Sequence, residues 1–216
     1  QVACPDFDVI GLSFPGCPGF PHFGHNAAVA WCVTHAGADY QDLYVENMRP
    51  SGDGLEYEFK GEWRDAEVRH ETIEVRSGES VEIDVPVTHH GPVISQSADG
   101  TKAIAFRYTA TTGPNLGYEP LLDMLLAKNA DEIDESMRDW VDPCNNFLFA
   151  DVHGDIGYLN RGEVPVRPMA NAWLPVPGWN GEYEWQGSIP FEDLARSRNP
   201  STGYIVTANN RIVGHD

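Results

Sequence analysis

The sequence is poor in basic residues and lacks long apolar runs, and each shortage excludes a class of protein. It holds 14 lysines and arginines against 33 aspartates and glutamates, a formal net charge of −19 over 216 residues. So acidic a chain is not expected to bind nucleic acid or an anionic membrane as its main function. No apolar run approaches the roughly 20 residues that a membrane helix needs. The acidity is interpreted as solvated surface, with a few carboxylates available to a divalent cation.

Cysteine is also scarce. Cys4, Cys17, Cys32 and Cys144 allow two disulfides but require none, and their spacing matches no zinc pattern. With 41% hydrophobic and 11% aromatic residues the chain is typical of globular proteins. It has no initiator methionine, and the residues from Gln1 onward lack the basic start and apolar core of a signal peptide. We therefore expect an excerpt of a longer polypeptide.

Alternating apolar residues predict strands, most of them paired in hairpins. Helical spacing is confined to 119–128 and 131–140, with Asn129 as a cap. Strands are predicted at 7–10, 27–33, 55–59, 68–75, 81–87, 93–95, 103–108, 147–150, 156–160 and 204–207, the last one buried. The pattern predicts an α+β, β-rich fold.

We divide this portion into four segments. They are an active-site loop and strand unit (1–50), β-hairpins (51–112), a helical part (113–142), and a hairpin with a Pro/Gly/Trp-rich stretch and a final strand (143–216).

The stretch 11–44 is dense in glycine and proline and carries a specific pattern. It reads G-x-x-x-P-G-x-P from Gly11, followed by Gly24-His25-Asn26, Ala30-Trp31, Thr34 and Asp39 to Tyr44. Further blocks follow in order: 88–93, Asn146-Phe147, 154–158, 174–178 and 208–210. In these motifs nearly the whole chain resembles the penicillin acylase family of N-terminal-nucleophile hydrolases. The resemblance implies a four-layer αββα sandwich when complete, of which residues 1–216 form an incomplete β-chain portion.

The implied activity is cleavage of a linear amide to a carboxylic acid and an amine through an acyl-enzyme. Enzymes like this family use a serine at the start of the β chain, whose own α-amino group serves as the base. Gln1 offers no such nucleophile, so we expect the serine to precede this chain and the isolated fragment to be inactive.

The resemblance also implies an amide small-molecule substrate, such as a β-lactam side-chain amide, an N-acyl-homoserine lactone or an acylated peptide. It implies a missing α chain and the rest of the β chain of the same precursor as partners. A periplasmic or secreted location and a role in antibiotic metabolism follow from the same likeness. No organic cofactor, nucleic-acid partner or membrane partner is expected.

Two catalytic residues are implied as oxyanion donors: the backbone N–H of His35 and the side chain of Asn209. A backbone N–H and a neutral amide suit a developing alkoxide because they are fixed donors with no charge to desolvate. Taken alone, Asn209 fits better as an ordinary turn asparagine that bonds its own backbone, and the family motifs on both sides favour the catalytic role instead.

The residues implied for substrate binding are Phe23, Val33 and Asn145. Phe23 and Val33 fit equally well as ordinary core residues. Asn145 stands where relatives usually have an apolar residue, which argues against a purely hydrophobic acyl group.

A structural calcium ion is implied on the carboxylates of Asp39 and Asp42 and the backbone oxygens of Gln41 and Ala172. Calcium takes six to eight oxygens, so this set is incomplete, and solvated loop aspartates are the alternative. His22-x-x-His25 and His89-His90 are further metal candidates, but no third ligand is spaced for tetrahedral zinc. A non-catalytic, calcium-tethered, β-rich binding module stays open as a function of a different class.

Overall fold

The computed structural model describes residues 1–17, 21–52 and 54–211, so Pro18 and Gly19 of the glycine- and proline-dense stretch lie outside the described residues. The β-rich α+β class predicted from the sequence is confirmed. The strands are β1 (Val2–Ala3), β2 (Asp8–Leu12), β3 (Phe23–His25), β4 (Val29–His35), β5 (Gln41–Ser51), β6 (Gly54–Phe59), β7 (Glu62–Asp65), β8 (Glu67–Ile73), β9 (Val81–Thr88), β10 (Gly91–Gln96), β11 (Lys102–Tyr108), β12 (Asn145–Asp151), β13 (Ile156–Arg161), β14 (Val176–Pro177) and β15 (Arg196–Arg198). The α-helices are α1 (Pro120–Leu126) and α2 (Ala130–Glu135), and 3₁₀ turns cover Thr109–Thr111, Met169–Ala172 and Phe191–Asp193.

The described residues form two compact units. The first draws on Gln1–Asp39, Pro114–Val164 and Ser188–Asp216, and the second on Tyr40–Gly113 and Pro165–Gly187. The four segments predicted along the sequence do not coincide with these units, because each unit is assembled from stretches that are far apart in the chain.

The first unit is built on a sheet with the strand order β1-β2-β3-β4-β12-β13-β15, in which every pair is antiparallel. Burial alternates along β4, where Val29, Trp31 and Val33 are buried and the residues between them are more exposed. This alternation is the signature of a strand with one face in the core. The buried face packs with the buried face of β12 and with apolar side chains of the helical segment: Met124, Leu125, Ile133, Met137, Phe147 and Phe149.

Helix α2 begins where the sequence predicts and ends early. The side-chain oxygen of Asn129 accepts the N–H groups of Asp131 and Glu132 at 3.0 and 2.9 Å, which confirms Asn129 as the cap. The predicted helix over 131–140 was too long, because α-helix ends at Glu135 and the chain continues in turns. In these turns, backbone N–H groups bond the carbonyl three residues earlier, as in a 3₁₀-helix. The hydroxyl of Ser136 also donates to the carbonyl of Ile133 at 2.8 Å.

The prediction of a buried last strand at 204–207 was wrong. This stretch has no strand, and Tyr204 and Val206 are 66% and 72% exposed. The outer edge of β13 is already paired with β15, so no edge is left there for a further strand. The stretch instead bonds through side chains, with the hydroxyl of Thr34 in β4 donating to that of Thr207 at 2.9 Å.

The second unit holds the sheet β7-β6-β5-β11-β10-β9-β8, with β14 parallel to β5. The predicted hairpins are confirmed, including β8 with β9 and β10 with β11. Strands β9 and β10 are joined at His89-His90, and Gly91 follows with φ +126°. A Cβ atom at Gly91 would lie 2.2 Å from the carbonyl oxygen of Phe106, so only glycine fits this turn.

All four cysteines are free, and Cys144 is buried. Burial, together with Asp142 and Glu163, raises the pKa of the Cys144 thiol to about 12, so it is protonated at neutral pH. No helix among the described residues has both the length and the apolar character needed to cross a bilayer.

Candidate functional site

The two residues implied as oxyanion donors lie side by side in the first unit. The backbone N–H of His35, the last residue of β4, donates to the side-chain oxygen of Asn209 at 2.8 Å. Strand β3 pairs with β4 only at Trp31 and Ala30, so it does not reach the end of β4. The N–H at His35 therefore bonds a side chain that is 174 positions away in the sequence.

Asn209 adopts a backbone conformation that few residues tolerate. Its φ is +56°, in the left-handed region where asparagine is several-fold enriched among non-glycine residues. The side-chain oxygen of Asn210 accepts the N–H of Ala208 at 2.8 Å and bridges this turn. Asn209 is therefore held toward β4. Its side-chain oxygen accepts the N–H of His35, whereas an ordinary turn asparagine would bond its own backbone.

Asn146 is a residue of this site to which sequence reasoning gave no role. It is fully buried on β12, and its side-chain nitrogen lies 3.0 Å from the carbonyl oxygen of His35, 3.1 Å from the hydroxyl of Thr34 and 3.2 Å from the carbonyl oxygen of Asn210. Its oxygen accepts the hydroxyl of Tyr158 at 2.9 Å. Asn146 thus ties the end of β4 to the stretch around Asn209. Its signal in the sequence was a pair of asparagines directly before an apolar strand.

Tyr158 completes this network as a donor. Burial raises the pKa of its hydroxyl to about 12, so the group is protonated at neutral pH. It fixes the orientation of the Asn146 amide, because a hydroxyl that donates to the oxygen leaves the nitrogen to face the carbonyls of His35 and Asn210.

The residues predicted to bind the acyl group do not share one face of the sheet. Val33 is buried in the core. Asn145 lies on the neighbouring strand β12, opposite His35, and His35 is two residues after Val33, so Asn145 points to the same core face. Gly24 pairs with Trp31 of the core face, so its neighbour Phe23 points to the other face. An apolar groove of about 400 Å³ does lie on that other face, and it is lined by Ala30, Cys32, Leu148, Ala150, Tyr204 and Ile205 among others.

Asn145 is bonded to an arginine that the sequence reading did not single out. Its side-chain oxygen accepts Nη2 and Nε of Arg161 at 3.0 and 3.3 Å. The guanidinium is fully buried and lies 3.8 Å from the ring centroid of Trp140. Burial lowers the pKa of Arg161 to about 9, so it still carries its charge at neutral pH. A charged group therefore stands directly behind Asn145.

The residues predicted to hold calcium lie in both units, and those of the second unit do not fit the ion by themselves. Asp42 is buried, and its Oδ2 lies 2.7 Å from Nε of Arg167 and 3.1 Å from the side-chain nitrogen of Asn171. One oxygen, Oδ1, is buried without a hydrogen-bond partner among the described residues. Arg167 already supplies the positive charge that a cation would bring.

Gln41 and Ala172 are exposed and belong to the second unit, and Asp39 is exposed in the first. With Oδ1 of Asp42, two backbone carbonyls would give three oxygens, well short of the six to eight that calcium takes. No step below is derived through a calcium ion.

Comparison with known proteins identifies the family. The model of the penicillin amidase family matches residues 1–216. The penicillin acylase 2 proenzyme of Pseudomonas sp. (strain SE83) is 44% identical over 216 residues, which are 100% of this chain and 28% of that protein. The acyl-homoserine lactone acylase QuiP of Pseudomonas fluorescens (strain Pf-5) is 30% identical over 217 residues, which cover 99% of this chain and 26% of that protein.

A solved structure agrees with these sequence matches. The thermostable penicillin G acylase from Alcaligenes faecalis superposes with a TM-score of 0.86 at 30% identity, covering 100% of this chain and 38% of that one. The chain thus spans between 26% and 28% of the length of the two relatives named above. It belongs to the penicillin amidase family of acylases.

Proposed function

We propose that this chain is part of an amide hydrolase that cleaves a linear amide through an acyl-enzyme, with the backbone N–H of His35 and the side chain of Asn209 as its oxyanion hole. The observation that carries the proposal is the 2.8 Å hydrogen bond between these two groups. Two residues chosen as donors to the same oxygen must lie within a few ångströms of each other, and these do. The family supplies the reaction class, since relatives in it are acylases.

On this proposal, the same bond must open when substrate binds. At 2.8 Å there is no room for an oxygen atom between the His35 N–H and the oxygen of Asn209. Rotation of the amide turns its NH₂ group outward and frees the N–H of His35. Both donors then face one point, at the 2.7–3.1 Å from the oxyanion that stabilisation requires. In the unliganded protein Asn209 acts as a stand-in acceptor.

The steps of the reaction follow from this arrangement. A serine hydroxyl attacks the amide carbonyl, and its proton passes to the free α-amino group of the same residue. The negative charge that forms on the carbonyl oxygen is stabilised by His35 and Asn209. The C–N bond then breaks, the amine leaves with the proton, and water hydrolyses the ester that remains.

The nucleophile is proposed to belong to the part of the protein that is not in this chain, as are the α chain and the rest of the β chain of the same precursor. The isolated 216 residues are therefore expected to be inactive. Candidate substrates are β-lactam side-chain amides, N-acyl-homoserine lactones and acylated peptides, with a role in antibiotic metabolism and a periplasmic or secreted location. The neutral amide of Asn145, hydrogen-bonded to the charged Arg161, supports an acyl group that carries a polar atom.

A structural calcium ion on Asp39, Asp42, Gln41 and Ala172 is retained only as a proposal for the whole protein. It would need further oxygen ligands from outside this chain.

The test removes the Asn209 side chain without straining the backbone. Glycine tolerates the φ of +56° at this position, so Asn209→Gly deletes the amide alone. Loss of one oxyanion donor should lower kcat by about 10²–10³ with little change in KM. The measurement is steady-state hydrolysis of a chromogenic amide by the whole protein.

Asn199→Gly is the matched control. Asn199 lies in the same unit, also has a positive φ, of +45°, and its side chain accepts the N–H of Ile156 at 2.9 Å. This variant should lose some stability and keep kcat within about threefold of wild type, since its amide bonds Ile156 and Asp155 at the start of β13 and not His35. If Asn209→Gly retains kcat to the same degree as Asn199→Gly, the oxyanion role of Asn209 is refuted.

A further inference from the structure

The turn between β9 and β10 brings two histidines to a carboxylate from a distant part of the second unit. Nε2 of His90 lies 2.6 Å from Oε1 of Glu184, and Nε2 of His89 lies 3.7 Å from the same oxygen. The three candidate ligand atoms all lie within 4.8 Å of one another. The sequence offered only the adjacent histidines, and the fold supplies the third ligand from 94 positions away.

We propose that His89, His90 and Glu184 bind a divalent transition-metal ion of the zinc class, with the fourth position open to water. Two imidazoles and one carboxylate are ligands that zinc accepts in tetrahedral sites. With bonds of about 2.0–2.1 Å, ligand atoms in a tetrahedron lie about 3.4 Å apart. The separations of 2.6 and 3.7 Å bracket that value, and the third pair of atoms lies within 4.8 Å, so shifts of no more than about 1.4 Å close the site.

The surroundings of His90 orient it as a ligand. Its Nδ1 donates to Oε1 of the fully buried Glu46 at 2.7 Å, and its ring stacks on Tyr44 with centroids 3.7 Å apart. A carboxylate on the far nitrogen fixes the tautomer that directs Nε2 to a metal, an arrangement common in zinc proteins. The hydroxyl of Thr88 donates to the same Glu46 oxygen at 2.9 Å, which fixes the carboxylate in turn.

The charge around the cluster favours a cation. Glu46 and Glu184 place a carboxylate on each nitrogen of His90, so a cation at Nε2 lies between two negative groups. Oε2 of Glu46 is buried and has no hydrogen-bond partner among the described residues. Nη1 of Arg107 lies 3.6 Å from Oε2 of Glu184, on the oxygen away from the two histidines. Oε1 therefore remains the ligand atom.

The site is accessible from one side only. The side chains of His90 and Glu46 are 0% exposed, whereas those of His89 and Glu184 are 25% and 27% exposed. An ion can enter past His89 and Glu184 and keep one water ligand. Once bound, it would tie the β9–β10 turn to the stretch that carries Glu184.

The test uses the whole protein, stripped with a chelator and then titrated with Zn²⁺ by calorimetry and with Co²⁺ by visible absorption. We expect one equivalent of Zn²⁺ at a micromolar or tighter dissociation constant, a rise in Tm, and the strong visible bands of tetrahedral cobalt. His89→Asn removes a partly exposed ligand, so the variant should fold and lose at least tenfold in affinity. Glu46→Gln should weaken binding about 10–100-fold, as other losses of an orienting carboxylate do.

His70→Asn is the control. His70 is an exposed histidine of the same unit and lies 2.6 Å from a carboxylate oxygen of Asp84, yet the part of the chain that the structure describes offers it no third ligand. The His70→Asn variant should bind Zn²⁺ as tightly as the wild type does. The proposal is overturned if the wild type shows no zinc-dependent rise in Tm, or if His89→Asn binds as tightly as wild type. Neither readout involves hydrolysis, so the outcome is independent of the proposed catalytic role.

Discussion

The buried amide of Asn146 offers the sharpest mutational test of how the candidate site is held together. Asn146→Ala removes a side chain that meets Thr34, the backbone oxygens of His35 and Asn210, and the hydroxyl of Tyr158. The substitution leaves the Tyr158 hydroxyl and the His35 carbonyl without their partner. At about 1–3 kcal/mol for each group stranded in this way, we expect a loss of roughly 3 kcal/mol in the free energy of unfolding.

The same substitution should act on catalysis through position alone. Without Asn146 the stretch around Asn209 loses its bond to β12, and the two donors lose their alignment. We expect kcat to fall at least tenfold while KM changes little, because the misplaced donors are needed in the transition state and not in the ground state. Urea unfolding followed by circular dichroism and steady-state hydrolysis of an amide measure the two effects.

Asn160→Ala is the matched control for this experiment. Asn160 stands directly opposite Asn146 on β13, and its side-chain oxygen has no hydrogen-bond partner among the described residues. Its loss should cost under about 1 kcal/mol and leave kcat unchanged. The reasoning fails if Asn146→Ala is no more damaging than Asn160→Ala in both measurements.

Three further predictions concern the framework. Asp42→Asn removes the carboxylate charge paired with the guanidinium of Arg167, whose side chain is 9% exposed, and should cost about 3–5 kcal/mol in urea unfolding; a loss under about 1 kcal/mol would show that the pair is not needed. Asn129→Ala should cost about 1 kcal/mol by removing the cap of α2, and an unchanged Tm would contradict that role. Burial alone would raise the pKa of Asp151. The N–H groups of Ala130, Asp155 and His153, which donate to its carboxylate, lower the pKa by more, so the net shift is downward. A lowered folded pKa gives stability that is present above the unfolded value of about 3.9 and lost as pH falls through the folded pKa. The difference in stability between wild type and Asp151→Asn should therefore be largest at neutral pH and vanish in strong acid; a difference that does not depend on pH would count against the shift.

The strand pattern of both sheets is readable from the sequence because it rests on a local signal. Alternating apolar residues and the turn at Ser77-Gly78 are enough to pair β8 with β9, and Ser77 does take a positive φ of 63°. The cap at Asn129 is local in the same sense.

Where local signals competed with tertiary pairing, the predictions failed. Residues 204–207 form a short apolar run that suits a buried strand, but β15 already pairs with the edge of β13. In the helical segment, Met137 and Trp140 are buried as their spacing indicates, yet turns place them there without an α-helix. Burial was predictable from the pattern, and the backbone conformation was not.

The site depended on partners far apart in the chain. The pairing of His35 with Asn209 came from the family resemblance, not from any spacing in the sequence. Arg161 behind Asn145, Arg167 beside Asp42 and Glu184 beside His90 had no local signal at all. In each case the fold places an arginine or a glutamate, to which the sequence analysis gave no role, next to a buried group.

The most direct measurement of the central claim is a crystal structure of the whole protein with a boronic acid analogue of the tetrahedral intermediate bound to its nucleophile. The account predicts that the hydrogen bond between His35 and Asn209 is broken, and that one boronate oxygen lies 2.7–3.1 Å from both the nitrogen of His35 and Nδ2 of Asn209. A boronate oxygen held by other groups, with the 2.8 Å bond between His35 and Asn209 intact, would contradict it.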